Sequence, residues 1–135
     1  MASAAFEEIV EDFEFLEDWE DRYRHVIEHG KAMAPLDEAL KVPATKVDGC
    51  ASQVWLHASL DGDTIILQGD SDAHIVKGLV ALLLALYSGK RREEVLAINP
   101  EDALAPFDLK DHLTPQRSNG LHSMIKRIRA IAETT

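Results

Sequence analysis

The amino-acid sequence predicts an α+β fold, a small antiparallel β-sheet of about three strands covered by helices, forming one domain over residues 1–135. Three observations carry that expectation. Apolar residues recur at helical spacing at both ends of the chain and in its middle, the period shortens to two between Gln53 and Leu60, and Asp61-Gly62-Asp63 then supplies a hairpin turn. The composition, 46% hydrophobic and 28% charged, is that of a soluble globular protein. At this length folding hides about two-thirds of the unfolded surface, enough for one core.

Each element follows from local pattern. Phe6, Ile9, Val10, Phe13 and Leu16, with acids between them, predict an amphipathic helix from about Ala4 to Phe15. Asp18 caps a second helix with the stripe Trp19, Tyr23, Val26 and Ile27, and Gly30 is expected to stop it, which makes the two a helical hairpin. Lys31 to Ala44, holding Pro35 and Pro43, reads as a loop with at most one short helical turn. Thr45 to Val47 is the candidate third strand. Gln53 to Leu60 places Val54, Leu56 and Ala58 on one face, and Thr64 to Gln68 is the return strand. Ser71-Asp72 is expected to cap a long core helix from Ala73 to about Ser88, closed by Gly89. Arg92 to Ala97 and Glu101 to Ala105 are short helices. Thr114-Pro115 opens a last helix through about Ala132, with Leu121, Met124, Ile125, Ile128 and Ile131 as its stripe.

Charge and segment lengths narrow the function. A formal net charge of -10 repels phosphates and anionic lipid heads, so neither nucleic acid nor a membrane is an expected partner. Acids crowd the first two helices while Arg117, Lys126, Arg127 and Arg129 lie near the other end, an asymmetry that can orient a protein partner. The longest apolar run, Leu79 to Tyr87, is far shorter than the roughly 20 residues of a membrane-spanning helix. The opening M-A-S-A-A-F-E-E has acids where a signal peptide needs positive charge, so a cytoplasmic location is expected.

One residue stands out chemically. Cys50 is the single cysteine, set in K-V-D-G-C-A-S-Q-V-W just before a strand, which rules out a Cys-x-x-Cys redox pair or a Cys-rich metal site supplied by this chain. A packing cysteine belongs on an apolar face; this one follows Asp48-Gly49, a turn pair in which glycine takes positive φ. As a thiolate nucleophile it needs help, since a free thiol of pKa ~8.5 is only a few per cent ionised near neutrality. Asp48 opposes ionisation, and Lys46 or Arg117 would favour it. A Cys-His hydrolase, with His57, His74, His112 or His122 as base, stays open at this point. His25-Val26-Ile27-Glu28-His29 matches the H-x-x-E-H pattern of a zinc peptidase group, but the second histidine abuts Gly30 and no downstream glutamate ligand is evident, so no metal site is assigned. Gly69, Gly78 and Gly89 are too scattered for a phosphate loop.

Three blocks taken together carry a resemblance: D-G-C-A-S-Q-V-W-L, then L-Q-G-D-S-D-A-H-I-V-K-G-L, then L-T-P-Q-R-S-N-G-L-H-S-M-I. In order and spacing, and with the W-E-D-R-Y segment at Trp19 to Tyr23, the chain resembles the SufE/CsdE family of sulfur acceptor proteins. The resemblance implies a fold shared with IscU-type scaffold proteins. It also implies a PLP-dependent cysteine desulfurase of the SufS or CsdA type as partner, with the PLP on that partner and no cofactor on this chain. Cys50 would take persulfide sulfur, stimulate the desulfurase and pass the sulfur to an iron-sulfur scaffold complex of the SufBCD type. Asp72 and Arg117 match positions associated with the cysteine-loop region and desulfurase docking, and Gly49, Ser52 and Gln53 flank the thiol as loop support or partner contacts. Many members carry a polar residue after the cysteine where this chain has Ala51. The alternative is a regulatory adaptor that binds the desulfurase without carrying sulfur.

Overall fold

The computed structural model describes residues 4–50 and 52–135, the side chain of Lys110 apart, so Ala51 lies outside the described residues. Two helices open it, α1 (Ala4–Phe15) and α2 (Trp19–Ala32), followed by a 3-10 turn at Glu38–Leu40. The hairpin is β1 (Val54–Asp61) and β2 (Thr64–Ser71), paired antiparallel from Val54↔Ser71 to Asp61↔Thr64, with Gly62 at φ 63° in the turn. Then come α3 (His74–Tyr87), β3 (Lys90–Arg91), α4 (Arg92–Ala97), α5 (Pro100–Leu104), α6 (Leu109–His112) and α7 (Pro115–Thr134). The architecture is α+β, with sheet order β1-β2-β3.

α3 is the centre of the core. Leu79, Val80, Leu82, Leu83, Leu86 and Tyr87 are fully buried between the hairpin on one side and α1, α2 and α7 on the other. Val54, Leu56, Ile65 and Leu67 fill the inner face of the hairpin, as the alternation predicts. Phe6, Phe13 and Phe107 close the far end in edge-to-face contact, with the Phe107 centroid 5.7 Å from that of Phe6 and 4.8 Å from that of Phe13.

Four expectations are corrected. Gly30 does not stop α2, which runs on to Ala32; it is buried against α3, where a Cβ on it would lie 2.6 Å from the Gly78 nitrogen. A Cβ on Gly78 would meet the Val26 carbonyl oxygen at 2.3 Å, so the two glycines bring the helix backbones into direct contact. The third strand is β3, not Thr45 to Val47, which makes one bridge, Lys46↔Trp55, before the chain turns away at Asp48-Gly49. β2 extends past Gln68 to Ser71, so α3 starts later, with Ala73 at its N-cap and no side-chain cap on that residue. α6 has no distinct sequence signal and is absent from the elements the periodicity predicts.

The loop after α2 is held by one buried carboxylate. Asp70 accepts hydrogen bonds from the N–H groups of Leu36 (3.2 Å) and Ser71 (2.8 Å) and pairs with Lys41 (3.3 Å) and Lys77 (3.4 Å). Burial alone would raise its pKa, but the Ser71 and Leu36 donors with Lys41 and Lys77 outweigh it and hold the carboxyl below its usual value. A depressed carboxylate pKa contributes stability that is present above the unfolded value of about 3.9 and is lost as pH falls through the folded one. Asp70→Asn is therefore expected to cost about 2–3 kcal/mol in urea unfolding at pH 7, the weight of lost hydrogen bonds to a charged group. The gap to wild type should narrow below about pH 4, and a gap that widens there would refute the assignment.

Candidate functional site

The segment carrying Cys50 is tied down at both ends. On the near side the Val47 N–H donates to the Val54 carbonyl and the Leu56 N–H to the Thr45 carbonyl, both at 2.8 Å. On the far side the Gln53 N–H donates to Asp72 Oδ1 at 3.0 Å, while the Gln53 carbonyl accepts from Ser71 Oγ (2.8 Å) and the Asp72 N–H (3.3 Å). Asp72 thus secures the cysteine segment and does not cap α3. Between these anchors Gly49 adopts φ 86°, which glycine alone takes without strain, and a Cβ there would lie 2.6 Å from Ser123 Oγ on α7. The next residue, Cys50, is half-buried. Its thiol faces the Gly120 carbonyl at 3.7 Å as a weak donor, and a Cβ on Gly120 would lie 3.6 Å from the sulfur, in ordinary contact with it.

Cys50, Ser52 and Arg117 line one cleft with Val76, Gln116, Gly120 and Met124, a space of about 20 Å³ that admits little more than one water-sized group. Of the six residues singled out in the sequence, three therefore meet in this cleft, and Gly49, Gln53 and Asp72 hold the arm that delivers Cys50 to it. Arg117 stands in the first turn of α7, where Thr114 Oγ1 accepts its N–H at 3.3 Å, and its guanidinium donates to Tyr23 Oη at 2.8 Å. That bond links the cleft to α2, where Trp19, Glu20, Tyr23, Arg24 and Ile27 line a broader hollow of about 430 Å³. Trp19 stacks on His112 with ring centroids 3.9 Å apart.

Tyr23, Gly120 and Ser123 are the site residues that sequence reasoning missed. Gly120 is a glycine inside a helix, which costs about 1 kcal/mol relative to alanine, but a Cβ there would meet nothing closer than the Cys50 sulfur at 3.6 Å, so no close approach explains it. Tyr23 and Ser123 had no signal beyond their positions in the resembling blocks.

The electrostatics disfavour the Cys50 thiolate at rest. Burial pushes the Cys50 pKa up and the Asp48 carboxylate adds to it. Among the described residues none of His57, His74, His112 and His122 lines the cleft, so a Cys-His hydrolase has no base there. His25 and His29 bring their Nε2 atoms within 3.2 Å, one donating to the other, and burial followed by His25 lowers the His29 pKa against the pull of Asp12. No group of three or more His, Cys, Asp and Glu among the described residues is placed to hold a metal ion.

With this geometry in view, comparison with known proteins is specific. The family described as SufE: Fe-S metabolism associated domain matches residues 7–132. An uncharacterised SufE-like protein of Rhizobium etli is 53% identical, the match covering 96% of this chain and 90% of that one. Another, from Rhizobium meliloti, is 50% identical over 96% of this chain and 95% of its own. The solution structure of a hypothetical protein from Thermus thermophilus superposes with a TM-score of 0.78 at 24% identity, covering 99% of this chain and 97% of that one, and shows the same fold.

Two outcomes follow for the thiol. Because only the thiolate is alkylated, Asp48→Asn should raise the rate of Cys50 reaction with iodoacetamide at pH 7 and move its pH midpoint down; a midpoint that moves up overturns the account. Gly49→Ala adds left-handed strain of roughly 1–2 kcal/mol and a clash with Ser123, and should free the arm. The check is faster alkylation of Cys50 with little change in the urea midpoint.

Proposed function

The chain belongs to the SufE family, and from that premise we propose that it accepts persulfide sulfur on Cys50 from a cysteine desulfurase of the SufS or CsdA type and passes it to an iron-sulfur scaffold complex of the SufBCD type. Membership itself places the chain in Fe-S metabolism and sulfur transfer, with a cysteine desulfurase as the implied class of partner. PLP is assigned to the desulfurase, and the cytoplasm is the proposed location.

The observation that carries the reading is a lone thiol on a short arm, pinned at both ends and resting in a cleft scaled to one small group. The transfer needs only thiol exchange. The Cys50 thiolate attacks the outer sulfur of the donor persulfide, the donor S–S bond breaks as the new one forms, and the donor cysteine leaves as thiolate with no net oxidation. Ionisation is disfavoured while the arm rests on α7, so withdrawal of the arm from the cleft would favour the thiolate. A second thiol in reach would discharge the product as a disulfide, which makes the single cysteine useful.

The test is an intact mass after incubation with a cysteine desulfurase and cysteine. Wild type should gain the mass of one sulfur atom and Cys50→Ser none, and desulfurase turnover should rise only with wild type. If Cys50→Ser stimulates turnover as well as wild type, the chain is a regulatory adaptor and the carrier role is wrong.

A further inference from the structure

Arg127 lies ten residues beyond Arg117 on α7 and reaches the chain just before the cysteine. Its Nη1 donates to the Lys46 carbonyl at 3.1 Å and its Nη2 to the Ala44 carbonyl. These two acceptors have a common origin. Where Lys46 bridges Trp55, alternate backbone groups face opposite sides: the Thr45 carbonyl and Val47 N–H are used by β1, and the Ala44 and Lys46 carbonyls point away from it. In a longer sheet a further strand would satisfy that outer edge; here one planar guanidinium takes both carbonyls. The same helix carries Gly120 opposite the thiol and Ser123 opposite Gly49.

We propose that Arg127 is a positioning residue for Cys50: by clamping the root of the arm to α7 it holds the chain leading into the thiol in place against Gly120 and Ser123. The proposal rests on the carrier reading only for its purpose, since the clamp itself is a matter of geometry. With Val47 and Gln53 fixed, Cys50 stands three residues from either anchor, which limits its outward reach to roughly 10 Å. Without the clamp the root peels from α7, the anchor moves back toward the 3-10 turn, and the thiol spends more time away from its cleft.

A matched control exists on the same helix. Arg129 donates to two other carbonyls, those of Leu96 (3.4 Å) and Ile98 (3.3 Å), away from the arm. Arg127→Ala should raise the rate of Cys50 alkylation by iodoacetamide about tenfold, the equivalent of one hydrogen bond to a charged group. Hydrogen exchange at the Val47 and Leu56 amides should quicken in parallel while the Gln53 amide, held by Asp72, stays as it was. Arg129→Ala should leave all of these unchanged, and Arg127→Lys, with one ammonium for two carbonyls, should fall between and serve if the alanine variant does not fold. Unchanged alkylation in Arg127→Ala overturns the proposal, as does an equal rise in both alanine variants, which would mark general loosening. Sulfur loading is read separately by mass, so a failed carrier role and a failed clamp give different results.

Discussion

The hydrogen bond from the Val47 N–H to the Val54 carbonyl, at 2.8 Å, is the constraint on which the functional end of this protein depends. It joins residues on either side of Cys50 and turns the intervening chain into a closed loop whose ends cannot separate. So short a closed loop has little conformational freedom to lose, and the arm rests in one place without a large packed interface of its own. What holds it on α7 is correspondingly slight: a weak thiol contact to Gly120, the fit of Gly49 against Ser123, and Ser52 at the edge of the cleft. Strong anchors with a weak resting contact between them are the arrangement expected of a segment that must leave and return.

That bond in turn depends on the placement of β1, which is set by what lies behind it. Val54 and Leu56 are buried in the core, and Gly69 on β2 lets Val80 approach to the backbone: a Cβ there would meet Val80 Cγ1 at 2.7 Å and Leu56 Cδ2 at 2.9 Å. α3 is positioned on its other side by the Gly30–Gly78 contact with α2. The chain of support therefore runs from a glycine pair between two helices, through an almost wholly apolar helix, to the strand that roots the arm. Asp70 fastens the same region from the loop side through Leu36, Lys41 and Lys77.

The parts of this plan that were legible in the sequence are those with a local cause. Helical periodicity located the first, second, third and last helices, alternation located the hairpin, and Asp48-Gly49 marked a turn whose glycine does take positive φ. The place of Cys50 in a turn was legible because its neighbours are turn residues, and Asp72 and Arg117 were singled out because the resembling blocks contain them. What escaped has a non-local cause. Gly30 has the spelling of a helix stop, yet tertiary contact with Gly78 carries the helix past it. β3 is two residues long, too short for any alternation, and exists because β2 offers an edge at Thr64 and Ile65. The Arg117–Tyr23 bond spans 94 residues of sequence, and no period or spacing reports such a pair.

The raised pKa of Cys50 disfavours the reactive thiolate in the resting state, and this bears on what a partner would have to do. A carrier thiol that was ionised at rest would react with any electrophile or oxidant in its surroundings, whereas a protonated one under partial cover is slow toward all of them. Both causes of the shift lie in the arm's own setting: burial against α7 comes first, and the exposed Asp48 carboxylate two residues away second. Withdrawing the arm from the cleft removes the larger cause, and a cationic surface placed against Asp48 offsets the other. A partner that supplied both exposure and positive charge would favour the thiolate by binding alone.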